Sequence, residues 1–170
     1  MQLHVCRLAS DFKFDVIASM NDFSENTEPH PTQAVTQAWI GLMRAQRRVL
    51  QAIEVDFKKA GLPPLGWYDV LWELVQADGG KLRPFEIESR TLLAQYNLSR
   101  LIDRLERGGL VRRETFDADG RGLWVVVTDE GRAMRKRMWQ VYSGSIETHL
   151  GAKLSADEAQ ELARLLGKLR

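Results

Sequence analysis

Apolar residues recur at three- and four-residue steps along most of the chain. The clearest run begins near Thr32, where Val35, Trp39, Leu42, Met43, Val49, Leu50, Ile53 and Phe57 mark one side of a long helix. Gly61 is its natural stop, and Pro63-Pro64 forbid continuation. A second helix is expected over about Trp67 to Gln76, with Val70, Leu71, Leu74 and Val75 apolar and Gly79-Gly80 closing it. Pro84 suits the first turn of a short third helix carrying Phe85 and Ile87. A fourth, about Gln95 to Arg107, aligns Leu98, Leu101, Ile102 and Leu105 on one face, and Gly108-Gly109 ends it.

The period then changes to two. Two β-favouring runs, 110–115 and 123–128, flank Phe116-Asp117-Ala118-Asp119-Gly120-Arg121-Gly122, a turn-rich cluster that predicts a hairpin. Thr128 is the expected N-cap of a fifth helix reaching about Leu150, with Asp129 and Glu130 in its first turn, where the helix dipole favours acids. Ser155 and Glu158 form a capping-box pattern that opens a last helix, with Leu162, Leu165, Leu166 and Leu169 on one stripe. Residues 1–31 carry little periodicity, end in a polar run from Asn21 to Pro31, and read as an arm.

Composition narrows the class. The 170 residues are 44% hydrophobic and 28% charged, which excludes wholesale disorder and a fibrous repeat. No window approaches the roughly 18 consecutive apolar residues of a membrane helix, so no membrane partner is expected. The single cysteine, Cys6, excludes an internal disulfide framework and suits a reducing, cytoplasmic setting. The first fourteen residues lack a continuous apolar core, so no secretory signal is read there. Cys6 lies in the arm beside His4 and Arg7 and reads as an incidental or structural thiol rather than a redox switch. With His4, His30 and His149 the only histidines, neither a metal site nor a cofactor is expected. The net charge of +1 conceals an uneven distribution: residues 81–137 hold 13 basic against 9 acidic residues, and residues 1–31 hold 2 against 5. A local positive excess is the footprint of a nucleic-acid reader, although a patch of that size also fits a solvated face.

The order helix, short helix, helix, hairpin predicts a winged helix-turn-helix. The fold class expected is mainly α with a small β-hairpin wing and N- and C-terminal dimerisation helices. In a helix-turn-helix the second helix lies in the major groove. The fourth helix offers Gln95, Tyr96, Asn97, Ser99, Arg100, Asp103 and Arg104 around its apolar face. Gln and Asn pair with adenine edges and Arg with guanine, and Arg104, one turn beyond Arg100, is placed to reach phosphate. The same residues would equally serve as a solvated helix face. The hairpin adds weight: its tip holds Arg121 between Gly120 and Gly122, and a narrow minor groove attracts an inserted arginine.

Several segments carry a family resemblance. Leu65-Gly66-Trp67-Tyr68-Asp69-Val70-Leu71, Leu98-Ser99-Arg100-Leu101-Ile102-Asp103-Arg104-Leu105-Glu106, Gly109-Leu110-Val111-Arg112-Arg113, Asp119-Gly120-Arg121-Gly122 and Val127-Thr128-Asp129-Glu130-Gly131 resemble the MarR family of bacterial transcriptional regulators over about residues 32–170. The resemblance implies a homodimer that binds pseudo-palindromic double-stranded DNA and is released by a small phenolic ligand or aromatic carboxylate. It implies that Gln95, Tyr96, Asn97, Ser99 and Arg100 read the major groove and that Arg121 enters the minor groove. The chain departs from the family pattern in having Ala94 where a hydroxyl N-cap is common, and a single arginine at the wing tip.

The organisation expected is an arm (1–31), a dimerisation helix (32–60), the DNA-binding winged unit (61–128) and C-terminal dimerisation helices (129–170). The terminal helices have apolar stripes that the winged unit can cover only in part, so a two-fold dimer is the economical closure. Trp39, Trp67, Tyr68 and Trp72 gather near the junction of the first two helices. They read either as hydrophobic core or as an effector cleft, with Arg44 and Asp69 as polar anchors. No glycine-rich phosphate loop or nucleophile elbow is present, so the chain is not expected to be an enzyme. The alternative is a winged-helix protein–protein module without a DNA-binding role.

Overall fold

A computed structural model describes residues 30–91, 95–115 and 122–169. The arm with Cys6, up to residue 29, lies outside them. Two units divide the chain, residues 1–41 and 42–170. Helix α1, Gln33–Lys59, opens where Thr32 Oγ accepts the Val35 N–H at 3.3 Å. Of its apolar series only Ile53 and Phe57 are buried; Val35, Trp39, Met43 and Leu50 remain exposed.

Glycine in the left-handed region ends α1. Gly61 has φ 65, its N–H donates to the Lys58 carbonyl and the Leu62 N–H to that of Phe57. These two bonds make a Schellman turn, and Leu62 packs in the same cluster as Phe57, the apolar contact that accompanies that turn. Helix α2 spans Leu65–Gln76. Pro64 offers no side-chain cap, and the Glu54 carboxylate of α1 supplies one by accepting the Leu65 N–H at 3.0 Å. The sequence reading placed the helix start two residues later, because this cap comes from eleven residues upstream.

Gly79-Gly80 does more than close α2. The helix ends at Gln76, and the two glycines, at φ 62 and 67, turn the chain into a strand, β1, Lys81–Leu82. This strand was absent from the sequence reading. It exists because it pairs antiparallel with β3, Leu123–Val127, which also pairs with β2, Val111–Thr115. The sheet order is β1-β3-β2. Between β1 and β2 lie α3, Pro84–Arg90, and α4, Gln95–Arg107. Pro84 occupies the first turn of α3 as expected, and Glu86 accepts the Arg83 N–H at 2.7 Å. Ile87 is buried but Phe85 is exposed.

A second Schellman turn follows α4. Gly109 has φ 70, its N–H reaches the Glu106 carbonyl and the Leu110 N–H that of Leu105. Helix α5, Asp129–His149, is capped by Thr128, whose Oγ accepts the Gly131 N–H at 3.0 Å and donates to the Gly109 carbonyl at 2.7 Å. A Cβ on Gly131 would collide with the Leu110 carbonyl, so only glycine lets α5 start this close. Helix α6, Ala156–Gly167, opens with the expected capping box: Glu158 N–H donates to Ser155 Oγ at 3.3 Å, and Ser155 N–H to the Glu158 carboxylate at 2.8 Å.

Within the second unit, two clusters form the interior. One gathers residues of α2, α3, α4 and the sheet, among them Val70, Leu71, Leu74, Ile87, Leu105, Val111 and Val125. The other joins Ile53 and Phe57 of α1 to Leu65 and Tyr68 of α2 and Met138 of α5. Trp67 and Met134 pack against both. Near the end of α5 a polar tie adds to this: Asp56 Oδ2 accepts from Ser145 Oγ at 2.9 Å and lies 2.7 Å from His149 Nε2. These bonds, that to His149 first, hold the Asp56 carboxyl below its ordinary pKa.

Candidate nucleic-acid interface

Helix α4 is seated by its apolar face. Leu98, Leu101, Ile102 and Leu105 are all buried, and Leu105 is wholly so. Gln95, Tyr96 and Asn97 occupy the first turn, and Ser99, Arg100, Asp103 and Arg104 are exposed. Ser99, Arg100 and Asp103 thus share the side away from the core with Arg104, which makes no ion pair to a described residue.

The wing strand is locked to this helix by one side chain. Arg113 of β2 bonds Asp103 at 2.5 Å and also reaches the Glu106 carboxylate, which accepts the Arg113 N–H at 3.1 Å. Two carboxylates of α4 thus grip one guanidinium, a geometry that fixes orientation as well as charge. Arg113 was read only as a strand residue, and this bracket depends on how β2 lies against α4. Arg121, at the expected wing tip, and Ala94 lie outside the described residues.

The aromatic group is larger than the sequence reading held. Tyr68 stacks with Trp72 and with Trp139 at centroid distances of 6.0 Å, and Tyr142 meets Tyr68 edge-on at 5.1 Å. The Arg135 guanidinium lies 5.2 Å from the Trp72 ring centre, while its Nε is buried with no hydrogen-bond partner among the described residues. Burial pushes the Tyr68 and Tyr142 hydroxyls up in pKa, against the pull of Arg135 on Tyr68. Burial, then Glu73 and Glu54, push the Asp69 carboxyl up to about 6. The charges acting on Asp69 are therefore acidic ones, and the expected anchor Arg44 is exposed on α1. Trp39 belongs to the first unit and is 61% exposed. Trp67 is half-buried between the two clusters.

Residues 60–122 match the family model described as MarR family. The HTH-type transcriptional regulator YkoM of Bacillus subtilis, itself uncharacterized, is 32% identical over 125 residues, 74% of this chain and 79% of the relative. The chain belongs to the MarR family. Two solved structures share its fold. Sco3205 of Streptomyces coelicolor, a MarR family regulator in complex with DNA, has a TM-score of 0.73 at 24% identity, covering 85% of this chain and 91% of that one. BpsR of Bordetella bronchiseptica, whose DNA binding is regulated by 6-hydroxynicotinic acid, has a TM-score of 0.69 at 24% identity, covering 82% and 97%.

As a MarR-family protein, the chain is a transcriptional regulator with a winged helix-turn-helix, not an enzyme. No helix among the described residues is long and apolar enough to cross a membrane. In this MarR member the residues missed from sequence were Arg113, Arg135, Trp139 and Tyr142. A period-of-four signal existed for part of them: Met134, Met138 and Tyr142 recur at the spacing of one helix face.

Proposed function

We propose that the chain binds a pseudo-palindromic DNA operator as a homodimer and that a small aromatic acid releases it. The observation that carries the DNA reading is α4, buried along Leu98, Leu101, Ile102 and Leu105 and braced by Arg113, with Ser99, Arg100 and Arg104 on the open side. A rigid helix with a polar outer face is what the major groove admits. Gln95, Tyr96, Asn97, Ser99 and Arg100 read base edges, Arg104 meets phosphate, and Arg121 enters the minor groove. The DNA complex of the related fold in Sco3205 supports this reading.

Dimerisation is supported by α6, in which no residue is buried and Leu162, Leu165 and Leu166 are 37–46% exposed; Leu169, expected on the same helical stripe, lies two residues beyond the helix end and is 74% exposed. A second copy would cover that stripe. For the effector we favour the Tyr68 and Trp72 region with Trp67 and Asp69. Stacked rings and a nearby guanidinium suit an aromatic carboxylate, and the acid that regulates BpsR has that chemistry.

Selection of bound sites from random duplexes by the purified protein tests the DNA reading. Recovery of an inverted repeat with half-sites about one helical turn apart is expected. Absence of any enriched duplex would replace this reading with a protein–protein module. Aromatic carboxylates should quench tryptophan fluorescence and weaken binding to the selected duplex. A panel that does neither removes the effector.

A further inference from the structure

The outer face of the sheet carries a second group of cations. Along β1 and β3 the core takes Leu82, Val125 and Val127, which leaves Lys81, Trp124 and Val126 on the opposite face by strand alternation. Arg112 and Glu114 of β2 stand in register with Val126 and Trp124 and share that face. Lys81 Nζ lies 5.1 Å from the centre of the Trp124 ring and the Arg83 guanidinium 5.3 Å from it. Both distances are within cation–π range, so one indole holds two positive heads in place. On the same side Glu114 pairs with Arg112, and Glu86 is bonded to the Arg83 N–H at the start of α3.

Chain position ties this platform to DNA. Lys81 and Arg83 lead directly into α3, the first helix of the helix-turn-helix, which in such motifs crosses the DNA backbone. Trp124 lies at the other end of the hairpin turn, two residues beyond Gly122. The platform therefore joins the start of the first helix to the turn end of the wing strand.

We propose that Lys81 and Arg83, carried on Trp124, form a phosphate clamp that grips the DNA backbone between the recognition helix and the wing. This rests on the DNA-binding reading above. Phosphate contacts fix the register of a protein on the duplex and carry no sequence information. Trp124 acts through the two cations and is a positioning residue.

The test is affinity against salt, on the selected duplex, for the full chain and for Lys81→Gln/Arg83→Gln, Trp124→Leu and Trp124→Phe. Each phosphate contact contributes about 0.9 to the slope of log affinity against log salt. Losing two contacts per protomer should make the slope shallower by nearly 4 and weaken binding on the order of tenfold or more at moderate salt. The ranking of operator variants should stay unchanged. Trp124→Leu should weaken binding with the same ranking, and Trp124→Phe should restore most of the loss because it keeps an aromatic face. Should Trp124→Leu fail to fold, Lys81→Gln alone decides, with a slope shallower by about 1.8. If wild type binds the duplex and the double variant keeps its slope and affinity, the clamp is overturned and the DNA reading stands. An altered ranking of operator variants also overturns the clamp. A wild type with no salt-dependent duplex binding overturns both.

Discussion

The winged core and helix α6 obey the same helical periodicity and end in opposite states. In the core, Val70, Leu71, Leu74, Ile87 and Leu105 leave no side-chain surface to solvent. In α6, the stripe of Leu162, Leu165 and Leu166 is 37–46% exposed. The difference lies in the neighbours each stripe meets. Leu98, Leu101, Ile102 and Leu105 of α4 close against α2, α3 and the sheet, so their burial is completed within one chain. Helix α6 is well capped by Ser155 and Glu158, yet its apolar side buries nothing. Capping and period thus account for the helix, and only a further surface accounts for its leucines. Core stability belongs to the chain, whereas in the proposed dimer that of the α6 stripe would depend on protein concentration.

The strongest way to break this contrast is to cut a cavity in the core. Leu105→Ala should lower unfolding free energy by about 2–5 kcal/mol, as deletion of buried methyl groups does. Denaturant melts should report that loss equally at low and high protein concentration. If the loss varied with concentration, Leu105 would be contributing to assembly as well. The matching change in the uncovered stripe is Leu165→Glu with Leu166→Glu. It should weaken dimerisation by about a hundredfold, near 2.7 kcal/mol, and leave a folded monomer. Light scattering at micromolar concentration should then read one chain for the variant and two for wild type. A wild-type monomer would mean that the stripe is not a dimer contact.

Asp69 of α2 sharpens the comparison with a partly buried charge near Glu73 and Glu54. Its folded pKa of about 6 stands above the ordinary carboxylate value. The folded state therefore binds the extra proton between about pH 4 and 6, and stability contributed by the protonated form is lost as pH rises through 6. Asp69→Asn should stabilise the protein at pH 7 by about 1–2 kcal/mol, with the gain vanishing below pH 4. Equal gains at pH 4 and pH 7 would show that charge is not the cause. The smallest expected effect is at the helix cap. Thr128→Ala should cost about 1 kcal/mol, and Thr128→Ser should retain most of the bond to Gly131. Chemical denaturation of the pair separates the hydroxyl from the methyl.

What was legible in the sequence was local. Pro84, Thr128 and Ser155 mark helix starts by chemistry confined to one turn, and Gly61 and Gly109 mark ends through a backbone conformation other residues rarely adopt. The buried face of α4 followed from its period. Strand β1 was not legible, because two residues carry no period and Lys81 and Leu82 become a strand only by pairing with Val126 and Val125. The aromatic group was half visible for the same reason. Tyr68 and Trp72 are one turn apart, but Trp139 and Tyr142 arrive from α5, some seventy residues on. The bracket of Arg113 by Asp103 and Glu106 joins a strand to a helix, and nothing in either segment alone announces it.

The Thr128 hydroxyl has a mechanical meaning beyond its cap. It bonds the carbonyl of Gly109 and the N–H of Gly131 together, and Gly131 has no room for a Cβ against Leu110. The end of α4, the root of the hairpin and the first turn of α5 are therefore pinned at one joint. Helix α5 has 21 residues, which at 1.5 Å each makes a rod of roughly 31 Å. Turned by about five degrees at its far end, such a rod displaces its near end by nearly 3 Å by the same geometry. Because the joint ties that near end to Gly109 and Thr128, such a tilt would move the end of α4 and the root of the hairpin together with α5 rather than α5 alone.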